Sequence, residues 1–208
     1  MGAMRKGLNW LSWAGAAVIV VALLLKVLFF DVAEVGHNGM APTLLRGERV
    51  LINKRRAPEL GSIAVCQHPT EEGWVVARVA ATGGMTVDSS KKELLIDGEP
   101  VEYRPRSSMT FYNADTDRSI EVTWGEEHSG DAAHQVFIGE NGRHHVKRTQ
   151  VPDGKLYLLG DYRGYMGQDS RTFGVVDAAG CRGAIVYRLT PATGLEGGAE
   201  HGYFEPVR

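Results

Sequence analysis

Histidine side chains are the first candidates for chemistry in this chain of 208 residues. Four of them fall within one polar section, where imidazole groups could bind a metal ion: His128, His134, His144 and His145. No cysteine or carboxylate lies at a spacing typical of zinc sites. We therefore predict ordinary polar surface for these histidines, with no metal site and no cofactor.

A second group of candidates lies in one loop near the C-terminus. The run from Gly160 to Arg163 reads Gly-Asp-Tyr-Arg, and the run from Asp169 to Arg171 reads Asp-Ser-Arg. Such short sequence motifs are common in loops. Their aspartates and arginines can also pair beneath a site, where the loss of one partner leaves the other unpaired. We predict a supporting, structural role for Gly160, Asp161, Arg163, Asp169, Ser170 and Arg171.

The stretch from Val35 to Lys54 carries glycine and proline where a strand must turn, and alternates apolar and polar residues from Arg49 onwards. Within it, residues 40–47 read Met-Ala-Pro-Thr-Leu-Leu-Arg-Gly. This run resembles the nucleophile motif of type I signal peptidases, in which a serine stands immediately before the methionine. Here that position is Gly39, and a glycine has no side chain with which to attack a peptide bond.

The resemblance extends to the box that carries the family's general base, a lysine kept neutral by burial. The matching run is Trp74 to Gly84, in which the arginine is kept as Arg78 and the lysine position is Ala77. The position that helps to stabilise the oxyanion in the family is His37. Lys147 stands in a similar Lys-Arg pair, but it follows the polar section, so we predict a solvated charge.

The loop from Gly160 to Gly174 resembles the last box of the same family. Tyr162 replaces the usual asparagine, and the segment from Gly164 to Gln168 is one residue longer and lacks the usual serine. Nucleophile, base and the serine that orients the base are thus all absent. The resemblance implies the family fold, and the departures predict an inactive member.

The elements that must position these residues are mostly strands. Short β-rich runs alternate with glycine and proline, and the Asp97-Gly98 pair predicts a hairpin turn. The predicted fold class is mainly β, a signal-peptidase-like antiparallel sheet or barrel ectodomain with a polar β insertion, preceded by one transmembrane helix.

The N-terminal region predicts a membrane anchor over residues 8–30. At ~1.5 Å per residue this apolar segment covers roughly 30 Å of hydrocarbon. Basic residues before it and acidic residues after it orient the N-terminus to the cytoplasm and the ectodomain to the periplasm or cell exterior. A cleaved signal peptide is the alternative, although its apolar region is usually ~7 to 15 residues long.

Charge and cysteine content narrow the functional classes. With 23 basic and 25 acidic residues the chain has a net charge near zero, and therefore no strong electrostatic field that would attract nucleic acid. We exclude nucleic acid as a partner. Cys66 and Cys181 show no metal-site spacing, which leaves two buried thiols or one long-range disulfide.

The predicted organisation has five parts. They are a cytoplasmic N-terminus (1–7), the anchor (8–30), a β core (31–106 and 151–190), an inserted β subdomain (107–150) and a C-terminal tail (191–208).

The predicted role is binding of an extended peptide. We call the nucleophile motif the first box and the general-base motif the central box. In the resembled fold a substrate lies beside the strands of these two boxes as an added strand. The partners implied are a secreted or pilin-type precursor, membrane lipid and an active signal peptidase paralogue. The alternative is an active signal peptidase with a non-standard site. The residues predicted to line the groove are Gly36, Asn38, Met40, Pro42, Val75, Val76 and Val79.

Overall fold

The structure is a computed structural model that describes residues 2–90, 93–129, 132–139, 142, 145–192 and 201–207. It is mainly β, as the sequence predicts. In chain order its elements are α1 (Gly2–Phe29), β1 (Phe30–Glu34), β2 (Arg49–Asn53), β3 (Ile63–Gln67), β4 (Trp74–Thr82), β5 (Thr86–Ser90), β6 (Glu93–Ile96), β7 (Glu99–Pro100), β8 (Glu102–Asn113), β9 (Arg118–Ser129), β10 (Ala132–Gly139), β11 (Thr149–Gln150), β12 (Lys155–Leu159), α2 (Ser170–Phe173), β13 (Val176–Asp177), β14 (Cys181–Thr190) and β15 (Glu205–Pro206).

The main sheet has the strand order β1-β2-β14-β3-β4-β12-β13, with β15 added to β14. All of these pairings are antiparallel. Alternate residues such as Val50 and Ile52 of β2 point to the buried face, because side chains alternate across a strand. That face encloses the main core, which includes Val35, Met40, Leu44, Ile52, Val65, Ala77 and Leu158.

Strand β4 changes partners along its length. Its first half, Trp74 to Ala77, pairs with β3, and β12 joins the other side only from Arg78 onwards. Among the described strands, none pairs with the second edge of Trp74 to Ala77, and none pairs with the outer edge of β1. Such unpaired edges are where an extended segment can add as a further strand.

A smaller sheet of order β11-β5-β6-β7 extends from β4. Its β6–β7 hairpin turns at Asp97 and Gly98, where the sequence predicts a turn. Both residues have positive φ, 54° and 84°, as a two-residue hairpin turn requires. A second core lies beneath this sheet, formed by Ala81, Val87, Leu94, Val101, Val146, Val151, Tyr157 and Leu159.

The polar insertion forms a three-stranded antiparallel sheet of order β10-β9-β8. This sheet runs from Glu102 to Gly139, whereas the sequence predicts boundaries at 107 and 150. The difference arises because β8 continues straight from β7, and because β11 belongs to the smaller sheet. The insertion packs on the rest of the protein through Phe111, Val122, Phe137, Tyr162, Ala41 and Leu45.

The C-terminal segment differs from the tail that the sequence predicts over residues 191–208. Its described part, residues 201–207, packs on the main sheet: β15 pairs with β14, and Val207 N donates to Val186 O at 3.1 Å. His201 Nδ1 lies 2.6 Å from Oε1 of the buried Glu48. Polar contacts with the core therefore fix a segment that lacks apolar periodicity.

Cys66 and Cys181 form a disulfide between the paired strands β3 and β14, which decides between the two alternatives left open by the sequence. At the N-terminus, α1 ends at Phe29 and leads directly into β1. Across the described residues, no helix has the combination of length and apolar character that crossing a membrane requires. The anchor over residues 8–30 thus stays a prediction.

Candidate functional site

The stretch that follows β1 forms a 3-10 turn at Asn38–Met40, with the buried Gly39 at its centre. The Gly39 amide donates to His37 Nδ1 at 3.0 Å. Met40 is fully buried in the main core. His37 is partly buried, and burial lowers its pKa although Asp115 and Asp169 oppose the shift.

A side chain at position 39 would collide with the His37 ring. An ideal Cβ built on Gly39 lies 2.8 Å from His37 Nδ1, 2.9 Å from His37 Cε1 and 3.3 Å from Tyr165 Cδ1. Because real Cβ atoms essentially never approach another heavy atom within 3.0 Å, the ring must move before a serine fits. The predicted nucleophile position therefore lacks a side chain, and one can be placed there only if the His37 ring moves.

The general-base position, Ala77, lies in β4 opposite Ala64 of β3. It is fully buried in the same core as Val35 and Met40. A methyl group cannot accept a proton, so this position has no acid–base chemistry. Its surroundings would still desolvate a lysine, which is the condition that lowers a lysine pKa.

The first and last boxes lie against each other. An ideal Cβ on Gly160 would lie 2.5 Å from the Gly39 carbonyl oxygen, so only glycine allows this approach. The same Gly39 oxygen accepts a hydrogen bond from Tyr162 N at 3.1 Å. The two motifs that carry the family resemblance thus form one local structure.

A buried ion pair links the central and last boxes. Arg78 donates to Asp161 through Nε at 2.8 Å and through Nη2 at 2.6 Å, and its Nη1 donates to Gly61 O at 2.7 Å. Thr43 Oγ1 donates to Asp161 Oδ2 at 2.5 Å. Burial opposes ionisation of Asp161, but Arg78 more than compensates, and the pKa of this carboxyl is lowered.

A second buried pair joins the last box to the insertion. Arg163 binds Glu127 of β9 with both Nε and Nη2, and its Nη1 donates to Gly160 O at 2.6 Å. Glu127 outweighs the effect of burial and raises the pKa of Arg163. His134 Nε2 lies 3.7 Å from Glu127 Oε2 and 3.8 Å from Asp161 Oδ1. Burial lowers the pKa of His134 to about 4.

Asp169 organises the rest of the loop. It caps α2 by accepting from Arg171 N at 3.0 Å, and it accepts from Gly160 N at 3.1 Å. Arg171 pairs with Asp169 at 2.6 Å and donates to the carbonyls of Arg163 and Tyr165. Ser170 Oγ accepts from Leu158 N at 2.8 Å, which ties α2 to β12.

The tip of the β8–β9 hairpin contacts the Gly39 turn. Asp115 Oδ2 accepts from Asn38 N at 2.6 Å, and Asn113 Oδ1 accepts from Asn38 Nδ2 at 3.1 Å. Arg46 Nη1 lies 3.2 Å from Asp115 Oδ1. Burial and a hydrogen bond to Asp115 raise the pKa of Tyr165 to about 12.

Most of the side chains predicted to line a peptide groove are inaccessible. Of the seven, Gly36 is exposed and Val76 is half-buried. The other five are buried by the core and by the insertion: Asn38, Met40, Pro42, Val75 and Val79. Asn38 in particular uses its side chain to hold Asn113 and Arg46 N. An added peptide would therefore meet backbone edges more than side-chain pockets.

The remaining reactive residues lie apart from one another. Lys147 is exposed, as predicted, and His145 Nδ1 contacts Ser89 Oγ at 3.0 Å. The side chain of His134 is buried, so the prediction of polar surface is wrong for this residue, while His144 lies outside the described residues. In the described part of the chain, no group of three or more His, Cys, Asp or Glu side chains could hold a metal ion.

Sequence reasoning missed Glu127 and Asp115 and assigned His134 to the surface, although the insertion contributes all three to the site. One signal could have located Glu127. The motifs contain three arginines, Arg78, Arg163 and Arg171, but only two aspartates, Asp161 and Asp169. Because buried cations are normally paired, a third acid had to come from elsewhere in the chain.

Comparison with known proteins matches this chain to one family. The family described as "Signal peptidase, peptidase S26" matches residues 8–190. A probable signal peptidase I-1 from Synechocystis is 24% identical over 188 residues, covering 84% of this chain and 79% of the relative. Signal peptidase IB from Staphylococcus aureus is 24% identical over 190 residues, covering 88% and 90%.

Among solved structures, a signal peptidase I from Enterococcus faecalis is similar at 23% identity and a TM-score of 0.37. The similarity covers 61% of this chain and 95% of that one. Since the family match spans α1 from residue 8 onwards, the Gly39 turn, β4 and the last box, this chain belongs to the signal peptidase family, peptidase S26.

Proposed function

We propose that this chain is a catalytically inactive signal peptidase homologue that binds extended segments of secreted or pilin-type precursors, or assists their assembly and processing. The observation that carries the proposal is the pair of positions 39 and 77. The first has no side chain and lies against the His37 ring, and the second is a methyl group inside the core. Neither position supplies a nucleophile or a base.

The open strand edges support peptide binding. The second edge of Trp74 to Ala77 and the outer edge of β1 both lack a described partner strand. A peptide that adds there gains main-chain hydrogen bonds, with Gly36 and Val76 the accessible members of the predicted lining. Affinity would then depend on the peptide backbone more than on its side chains.

The proposed location is the plasma membrane, with one span over residues 8–30, a cytoplasmic N-terminus and the ectodomain outside. The Cys66–Cys181 disulfide supports an oxidising compartment for the ectodomain, because such bonds are rare in the cytosol. Membrane lipid around residues 8–30 and an active signal peptidase paralogue are the further proposed partners.

The direct test uses the full chain in detergent and a precursor peptide with an Ala-x-Ala site. We expect binding without product, because losing the nucleophile and its base costs roughly 10⁶-fold in rate in a serine peptidase. The matched control is the same peptide N-methylated at alternate amides, which cannot add as a strand and should not bind. Turnover that persists after host peptidase is removed, or equal binding of the methylated peptide, would contradict the proposal.

A restoration experiment tests the site geometry. Gly39→Ser and Ala77→Lys rebuild the two reactive groups, and His37→Ser clears the space that a Cβ at position 39 needs. We expect weak cleavage by the triple variant and none by the matched double variant that keeps His37. Equal cleavage by both variants would show that His37 does not block the site.

A further inference from the structure

The His37 and Tyr165 rings cover the centre of the Gly39 turn. They stack with centroids 5.8 Å apart and an interplanar angle of 14°. Both rings reach the space where a side chain at position 39 would stand. His37 Nδ1 also accepts a hydrogen bond from the Gly39 amide. We call His37 and Tyr165 together the plug.

Tyr165 is held in this position from several sides. Its carbonyl oxygen accepts from Arg171 Nη2 at 2.8 Å, so the backbone is tied to the last box. Its ring lies against that of Tyr162, with centroids 6.0 Å apart. Burial and Asp115 of the insertion together raise the pKa of its hydroxyl group. Tyr165 thus has two contacts within the last box and an electrostatic interaction with the insertion.

Asp115 connects the plug to the turn beneath it. One carboxylate oxygen accepts from Asn38 N at 2.6 Å, and the other lies 3.2 Å from Arg46 Nη1. Arg46 Nη1 also donates to Ala114 O at 3.3 Å. The hairpin tip therefore contacts the chain at Asn38, just before Gly39, and again at Arg46, after it. Opening the site at Gly39 requires that Tyr165 leave Asp115 and that His37 leave the Gly39 amide.

We propose that the plug is an autoinhibitory contact, held by the insertion, which closes the site at Gly39 and must be displaced before a peptide reaches that turn. The inference rests on the proposed peptide-binding function. It assigns a role to the longer Gly164 to Gln168 segment, which carries Tyr165, and to the hairpin tip, which carries Asp115. The insertion would then set how readily peptides bind.

The first experiment measures closure without any peptide, by hydrogen exchange of the Gly39 amide in the full chain. We expect Tyr165→Ala and Asp115→Ala each to speed exchange by about tenfold, the factor that corresponds to the loss of one hydrogen bond. His37→Ala removes the acceptor and sets the upper limit. The matched control is Tyr112→Phe on the same hairpin, whose hydroxyl contacts Asp117 and not the plug.

Tyr165→Phe is the second variant, because it keeps the ring and removes only the hydroxyl group on which Asp115 acts. It should give an intermediate exchange rate even where Tyr165→Ala folds poorly. Unchanged exchange in both Tyr165→Phe and Asp115→Ala would overturn the plug, whether or not the variants bind the peptide.

The second experiment measures binding of the Ala-x-Ala peptide by the same variants. We expect the affinity for the peptide to rise about tenfold in the variants whose exchange rises tenfold. The apparent affinity is proportional to the fraction of molecules in which the site is open, so a site that is mostly closed binds weakly. Faster exchange with unchanged affinity would overturn the gating role. Faster exchange with no binding by any variant, wild type included, would instead contradict the proposed function and leave the closure established.

Discussion

Glycine at position 39 and histidine at position 37 depend on each other. The His37 ring stands where a Cβ of residue 39 would be, and it satisfies the Gly39 amide. Replacing Gly39 by alanine would therefore displace His37 and break this bond, although Gly39 does not have positive φ. The packing of the turn thus favours glycine at position 39, because a side chain there would have to displace the His37 ring.

Protonation of His134 makes stability depend on pH. Burial lowers the pKa of His134 from 6.5 to about 4. The unfolded chain takes up this proton as the pH falls through 6.5, but the folded chain does not until about pH 4. Stability should therefore decrease over this window, by about 3 kcal/mol in total. Urea unfolding of the full chain at several pH values between those two pKa values measures the slope.

The variant His134→Gln should flatten this dependence, whereas the control His145→Gln, at an exposed position, should keep the wild-type slope. An unaltered slope in His134→Gln would show that other groups cause the acid sensitivity.

At the scale of elements, local patterns predicted the strands that frame the site. Residues 50–52, 63–66 and 74–81 show the apolar alternation or runs of buried strands, and the structure has β2, β3 and β4 there. The docking of the insertion could not be predicted in this way. Asn38 and Asp115 are 77 residues apart, and Glu127 and Arg163 are 36 apart. Such contacts depend on the assembled sheets and have no signature within one segment.

The insertion should be coupled energetically to the last box through Glu127. Glu127→Gln removes the charge that pairs with Arg163, whose side chain is only 6% exposed. An unpaired buried cation costs about 3 to 5 kcal/mol, so the unfolding midpoint of the protein should fall. The matched control is Glu126→Gln in the preceding position, where the partner Arg106 is 50% exposed and the expected loss is much smaller because solvent screens the pair. Equal losses in the two variants would mean that the insertion is not coupled to the core.

At the scale of the whole molecule, the disulfide restrains a long part of the chain. Cys66 and Cys181 are 115 residues apart in sequence, and the enclosed segment includes the insertion and the last box. Because cross-linking a loop of this length limits the unfolded chain, its removal should cost up to about 4 to 5 kcal/mol. Thermal unfolding with and without reductant measures the loss in wild type. In the Cys66→Ser, Cys181→Ser variant the reductant should have no effect, and a wild-type loss under ~1 kcal/mol would contradict the expectation.

The contact between His37 and position 39 also bears on the history open to this lineage. A serine introduced alone at position 39 would have to displace the His37 ring and would find no proton acceptor at position 77. Under the proposed inactivity, no single one of these changes offers selection a gain in hydrolysis until the others are present. On this proposal the outcome is an evolutionary ratchet, in which the packing of the scaffold keeps hydrolytic chemistry out of reach of stepwise mutation.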